Sequence, residues 1–188
     1  FLPFTEYDLI TSTILELLEN NDDLLFIQQV LKCNKFVQQV VDNINDLRQC
    51  DIQGNRLGNL YRILLKCSQN EFLSKSCSNP QVIAVALDFP EDEDIDVLNP
   101  KWALICELYS LNYLSDYLST LEFSFSVIQS ISNESYHEYQ VNAINFISQV
   151  IENHPKVIQK IDCSYLANSI ISLFRQFPNH SILLSALV

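Results

Sequence analysis

The sequence Leu60-Tyr-Arg-Ile-Leu-Leu65 has two later counterparts, Leu104-Ile-Cys-Glu-Leu-Tyr109 and Ile144-Asn-Phe-Ile-Ser-Gln149. Each stretch places apolar residues three and four positions apart, which is the spacing of one face of an α-helix. The stretches recur about every 40–45 residues, and such a period indicates stacked helical units, because one unit cannot bury its apolar face without neighbours. The spacing therefore predicts an all-α solenoid, an architecture whose default function is protein binding.

Composition supports this prediction. Apolar residues make up 48% of the 188 residues, and there are only 2 glycines for the tight turns that sheet-rich folds require. Short, medium and long helices alternate within each predicted unit. The predicted full units are 22–69, 70–112 and 113–153, flanked by partial units 1–21 and 154–188. The length of 188 residues favours a single domain, 1–188. Because the chain begins at Phe1 and contains no Met, we expect it to be a piece of a longer chain.

Several helix boundaries follow from local signals. Thr5 is a predicted cap for the first helix, and Asn79-Pro80 and Asn99-Pro100 each combine a cap residue with Pro at a first helical position. Apolar periodicity predicts further helices at 121–132, 138–153 and 165–177, and one starting near Asn179.

The three-helix rhythm resembles the armadillo repeat and the related HEAT repeat. Trp102-Ala103-Leu104 looks like the start of a tryptophan-containing third helix, and Asn153-His154-Pro155 is similar to a junction between repeats. The resemblance implies a right-handed α-solenoid of about four repeats, whose third helices line a concave groove for a partner protein or peptide. The groove residues that it implies are Arg62, Lys66, Trp102, Cys106, Asn142, Phe146 and Gln149.

The chain departs from the peptide-binding armadillo pattern, in which a Trp is followed four residues later by an Asn. The Asn positions here hold Arg62, Cys106 and Phe146, so nuclear-localisation-signal binding of the importin kind is not expected. Trp102 has two interpretations, a core residue at a repeat junction or an anchor in the groove. Aromatic and Arg anchors dominate the binding energy of many interfaces, which makes Arg62 and Trp102 the favoured single contacts.

The formal charge of −12 bears on the choice of partner. Negative charge repels phosphate backbones, so nucleic acid and anionic membrane surfaces are disfavoured, whereas a protein with a basic patch is favoured. No apolar run reaches the ~20 residues that span a bilayer, so membrane insertion is not expected. The acidic segment 88–96 is either a solvated, mobile loop or a contact for a basic partner, through Asp88, Glu91, Asp92, Glu93, Asp94 and Asp96.

Chemistry is not predicted for this chain. The acidic segment lacks the Gly and the final Glu of an EF-hand, and no histidine pair has metal-ligand spacing. No nucleotide-binding or nucleophile-elbow motif is present, so we expect no enzymatic activity, cofactor or metal. The six cysteines form no CxxC pair and favour structural thiols in the cytosol or nucleus. The alternative to a free-standing scaffold is a regulatory domain of a larger protein, such as a formin-like cytoskeletal regulator or a phosphatase regulatory subunit.

Overall fold

The computed structural model describes residues 2–19, 24–33, 35–50, 54–90, 93–115, 117, 137–156 and 163–178. All regular elements among these residues are helices, and no strand occurs in them, so the all-α prediction is confirmed. The chain forms two compact units, Phe1–Leu114 and Ser115–Val188, each described here by itself. The solenoid, its repeats and the single domain stay predictions.

The first unit contains six α-helices within its described residues. They are α1 (Asp8–Leu17), α2 (Leu25–Cys33), α3 (Phe36–Gln49), α4 (Asn55–Gln69), α5 (Pro80–Leu87) and α6 (Ile95–Ser110). Short 3-10 helices lie at Leu2–Phe4 and Ser74–Ser78. The described helices of the second unit are α7 (Glu138–Asn153) and α8 (Cys163–Gln176).

Helix α4 lies at the centre of the first unit. It packs most extensively against α6, and also against α1, α3 and the 3-10 helix Ser74–Ser78. Apolar side chains from almost every side of α4 are fully buried, among them Leu60, Ile63 and Leu64. Burying one such side chain contributes about 1.5–3 kcal/mol, so the packing of α4 holds this unit together.

Two of the predicted helix starts are confirmed. The Asn79 side-chain oxygen accepts a hydrogen bond from the backbone N–H of Gln81 at 3.0 Å, and Pro80 occupies the first turn of α5. This arrangement satisfies one of the N–H groups that have no partner within the helix. Helix α7 has the predicted bounds, Glu138–Asn153.

Two other predictions about helix starts are wrong. Asn99-Pro100 does not open α6, because Asp94 caps that helix earlier through a 3.0 Å hydrogen bond from the Asp96 N–H, and Pro100 lies inside it. Thr5 caps no helix. Its hydroxyl donates to the carbonyl of Leu2 within the N-terminal 3-10 turn, and its own carbonyl accepts from the Thr11 hydroxyl. The helices predicted at 121–132 and near Asn179 lie outside the described residues.

Candidate functional site

The long helices each leave one narrow, largely polar stripe in contact with solvent. On α4 the stripe consists of Arg62, Leu65, Lys66 and Gln69, while most of the helix is buried. The corresponding stripe on α6 consists of Ala103, Cys106, Glu107 and Ser110. Within each set the residues are spaced by three and four positions, so they lie on one helix face. We call these faces the α4 stripe and the α6 stripe.

Helix α7, in the second unit, has the same character. Its solvent-facing positions are Asn142, Asn145, Ser148, Gln149 and Glu152, which we call the α7 stripe. Apolar residues of the opposite faces, including Ile144 and Val150, are buried. A helix with so narrow a polar face is mostly enclosed by other parts of the protein.

Five of the seven predicted groove residues lie on these stripes. Arg62 is exposed, and Lys66, Cys106, Asn142 and Gln149 are half-exposed. Local contacts orient the two basic residues. The Arg62 guanidinium donates to the Asn59 side-chain oxygen at 3.2 Å, and the Lys66 ammonium lies 3.8 Å from the Glu19 carboxylate. Their role in binding a partner stays a prediction.

The expected exposure of Trp102 and Phe146 is wrong. Trp102 is 0% exposed and Phe146 1% exposed, so neither side chain is available to a partner in this state. Trp102 lies one position before the α6 stripe, and one residue turns a helical side chain by about 100°. Its ring packs against Phe89 with the ring centroids 5.2 Å apart, which selects the core interpretation of this residue.

The acidic segment enters the core through Glu93. The Glu93 side chain is 2% exposed, and its carboxylate contacts the Arg48 guanidinium and lies 2.7 Å from the Lys101 ammonium. Lys101 is itself completely buried, and its ammonium also donates to the backbone carbonyl of Asp88. One carboxylate thus joins α3, α6 and the loop between α5 and α6.

Two aromatic rings complete this buried cluster. The Lys101 ammonium lies 4.1 Å from the centre of the Phe89 ring and 5.5 Å from that of Tyr61. The Tyr61 hydroxyl donates to the carbonyl of Val85 at 2.8 Å and accepts from Arg48 at 3.1 Å. Cation–π attraction and hydrogen bonds partly replace the water that these groups lose on burial. We call Arg48, Tyr61, Phe89, Glu93 and Lys101 the buried charge cluster.

Burial changes the proton affinities in this cluster. Loss of water lowers the pKa of Lys101 to about 8, although the Glu93 carboxylate opposes that change. Loss of water also raises the pKa of Tyr61 above its usual value, because the phenolate would be buried. The neighbouring Arg48 guanidinium opposes this rise. At neutral pH the cluster therefore holds a charged lysine and a neutral tyrosine.

These contacts correct the interpretation of the acidic segment at Glu93, which is neither solvated nor open to a basic partner. Asp88, Asp94 and Asp96 are exposed, although Asp88 lies 3.5 Å from Arg48 and Asp94 caps α6. Glu91 and Asp92 lie outside the described residues. A contact with a basic partner stays a prediction for the exposed acidic residues.

The described cysteines and histidines show no arrangement typical of a catalytic or metal site. Burial raises the pKa of the Cys67 thiol and raises that of Cys77 to about 12, which keeps both thiols protonated and unreactive. Cys33 and Cys50 are exposed. His137 immediately precedes α7, and its backbone N–H donates to the Gln140 side-chain oxygen at 2.9 Å. No group of three potential metal ligands occurs among the described residues.

Sequence reasoning missed the buried charge cluster. One signal was available, because Lys101 shares the apolar helix face of Leu104, Ile105 and Leu108, where a lysine must be buried or must interrupt the packing. Nothing local identifies Glu93 as its partner among the neighbouring acidic residues. Arg48 is separated from Glu93 by 45 positions, so only the tertiary fold brings them together.

Comparison with known proteins gives no relative: no family model, no curated protein and no solved structure matches this chain. None of the described helices has both the length and the apolar character needed to cross a membrane.

Proposed function

We propose that this chain is a protein–protein interaction module, built as an armadillo-like right-handed solenoid of about four repeats. In this proposal the α4 stripe and the α6 stripe form the partner-binding surface of the first unit, and the α7 stripe forms that of the second. The partner is a protein or peptide segment, and a basic patch on it contacts the exposed acidic residues Asp88, Asp94 and Asp96 rather than the stripes. The module acts in the cytosol or nucleus without a cofactor.

The observation that carries the proposal is the contrast between the two sides of α4 and α6. Both helices pack into the core over most of their surface, so their positions are fixed by the fold. The residues of the stripes contribute little to that core, yet they present charged and amide groups, including Arg62, Gln69 and Glu107, on rigid helices. Rigid presentation reduces the ordering cost of binding, which suits such a face to recognition.

The charge of the chain supports the choice of partner. The sequence holds 23 acidic and 11 basic residues, and four of the basic residues (Arg48, Arg56, Lys66 and Lys101) have ion-pair partners within the first unit. A surface with this balance attracts basic protein segments and repels nucleic-acid phosphates. The described cysteines are free thiols, which suits a reducing compartment.

Charge reversal on the α4 stripe tests the proposal. The immobilised chain, an Arg62→Glu variant and a Lys156→Glu control are compared for the proteins that they capture from a lysate of the source cells, by quantitative mass spectrometry. Both substituted residues are exposed, so each change reverses a charge at the surface, and circular dichroism checks that each variant keeps its helices. We expect partners that the wild type and the control retain and that the Arg62 variant loses. Identical capture by all three proteins would contradict a binding role for the α4 stripe.

A further inference from the structure

A second surface feature of the first unit has no role in the proposed function. A pocket of about 460 Å³ lies where the end of α2, the start of α3 and the 3-10 helix Ser74–Ser78 come together. Its described lining residues are Lys32, Lys35, Phe36, Val37, Gln38, Leu73, Lys75, Ser76, Ser78 and Asn79. Pockets that bind small molecules commonly have volumes of about 300–1,000 Å³, so this one has the size for an organic ligand.

The charge of this pocket is opposite to that of the chain. Lys32 lies in α2, Lys35 immediately precedes α3, and Lys75 lies in the 3-10 helix Ser74–Ser78. The pocket has no carboxylate among its described lining residues. None of the three lysines forms an ion pair within the described part of the chain, whereas Arg48, Lys66 and Lys101 do. Three positive charges that line one pocket without a counter-charge repel one another, and a bound anion removes that repulsion.

The start of α3 adds backbone donors to the lysines. Phe36, Val37 and Gln38 form its first turn, where backbone N–H groups have no acceptor within the helix. This turn has no acidic residue, and Lys35 gives it no side-chain cap. A helix start of this kind favours negative charge. Lys35 also has φ of 54° and ψ of 43°, a left-handed conformation that is unfavourable for a residue with a Cβ.

The remaining lining residues suit the organic part of a ligand. Phe36, Val37 and Leu73 are buried residues that contribute apolar atoms to the lining of the pocket. At its edge, the Asn79 side chain donates to the Gln38 side-chain oxygen at 3.1 Å while its own oxygen caps α5, so this edge is held in place. The pocket is therefore lined by basic, polar and apolar groups.

We propose that this basic pocket binds a phosphate-bearing ligand. Lys32, Lys35 and Lys75, together with the first N–H groups of α3, hold the phosphate, and the group that carries it lies over Phe36 and Leu73. The phosphate belongs either to a small organic phosphate or to a phosphorylated side chain of a protein. This site does not depend on the stripes of the long helices.

Calorimetric titration of the whole chain with inorganic pyrophosphate tests the site. A triple variant, Lys32→Gln with Lys35→Gln and Lys75→Gln, removes three exposed charges from the pocket. A control, Arg62→Gln with Lys156→Gln and Arg175→Gln, removes three exposed charges elsewhere. We expect saturable one-to-one binding by the wild type and the control, and a loss of affinity of about tenfold or more in the triple variant, because each lost contact is a charge-assisted hydrogen bond.

Two results would overturn the proposal: no saturable binding by the wild type, or equal weakening of the triple variant and the control. The second result would show only the general effect of net charge. Amide chemical-shift changes confined to 35–38 and 74–79 would locate the bound anion independently of the variants. A phosphoserine peptide and free O-phosphoserine then distinguish the sources, since tighter binding of the peptide assigns the site to a protein and equal binding to a small phosphate.

Discussion

The backbone carbonyl of Asp96 in α6 fills the space that a side chain on Gly58 in α4 would need. A Cβ at Gly58 would lie 3.0 Å from the carbonyl carbon of Asp96 and closer still to its oxygen. Pro100 lies four residues after Asp96 and has no N–H, so it cannot donate the usual helical hydrogen bond to that carbonyl. Gly58 and Asp96 thus allow the two central helices of the first unit to approach closely.

Replacing Gly58 with Ala tests this contact. Alanine favours a helix by about 1 kcal/mol over glycine, but the added methyl group would push against backbone, which cannot move aside as a side chain can. We expect a net loss of about 1–2 kcal/mol in the free energy of unfolding, measured by urea denaturation. Asn55→Ala, at an exposed position of the same helix, is the control and should change stability little. A Gly58→Ala protein as stable as the wild type would contradict the close approach.

Removing the charge of Glu93 tests the buried charge cluster. Glu93→Gln would leave the Lys101 ammonium buried without its carboxylate partner, and breaking a buried ion pair in this way costs about 3–5 kcal/mol. Denaturant unfolding measures the change. Asp96→Asn, an exposed substitution in the first turn of α6, is the matched control and should cost about 0.3–1 kcal/mol. Similar small losses for both variants would show that Glu93 is solvated.

The pKa of Lys101 can be observed directly. We expect the NMR signal of its side-chain Cε to titrate near pH 8, well below the usual lysine value of about 10.4, because burial disfavours its charge. That signal should be absent from a Lys101→Met variant. A lysine set in which every member titrates near the usual value of about 10.4 would contradict the burial of Lys101.

The same pKa gives a pH dependence of stability. Between pH 8 and about 10.4 the unfolded chain binds more protons at Lys101 than the folded chain, so this residue makes the free energy of unfolding rise with pH across that window. Cys67 and Cys77 act in the opposite direction, because their raised pKa values let the unfolded thiols ionise first. The difference in stability between the wild type and Lys101→Met isolates the lysine. A difference that stays constant from pH 7 to 10 would exclude this contribution.

The single tryptophan reports on the core beside the α6 stripe. Because Trp102 is fully buried, its fluorescence should be blue-shifted relative to the unfolded chain and protected from quenching by iodide. Trp102→Ala should cost about 3–5 kcal/mol, the usual range for deleting a large buried aromatic side chain. Strong iodide quenching in the folded protein would instead place Trp102 on the surface, as a groove anchor requires.

Local signals were sufficient for the secondary structure in most places and failed where two of them competed. Apolar periodicity gave α7 its bounds, and Asn79-Pro80 marked the start of α5. The equivalent Asn99-Pro100 did not start α6, because Asp94 had already capped the helix. Pro100 has no N–H to donate to the Asp96 carbonyl, and this carbonyl faces Gly58. A tertiary contact therefore decides whether the same dipeptide begins a helix or lies within one.

The candidate site was less predictable than the fold. The periodicity placed Arg62 and Lys66 on the solvent side of α4, where they lie. The same repeat alignment predicted that Trp102 on α6 and Phe146 on α7 are exposed. Both side chains are buried instead, because packing in the core decides which face of each helix is covered. The three lysines of the basic pocket are spread over 44 positions. Only the packing of α3 against its neighbours brings them to one pocket, so no local pattern in the sequence marks it.

Site-specific photo-crosslinking tests the proposed partner-binding surface most directly. A photoreactive phenylalanine replaces Ala103, on the α6 stripe, or Ala84, an exposed position of α5 that is not part of a stripe. We expect a crosslinked partner protein from position 103, its loss when Arg62→Glu is added, and no such product from position 84. Equal crosslinking from both positions, or a product that survives Arg62→Glu, would contradict the claim that the stripes of α4 and α6 bind the partner.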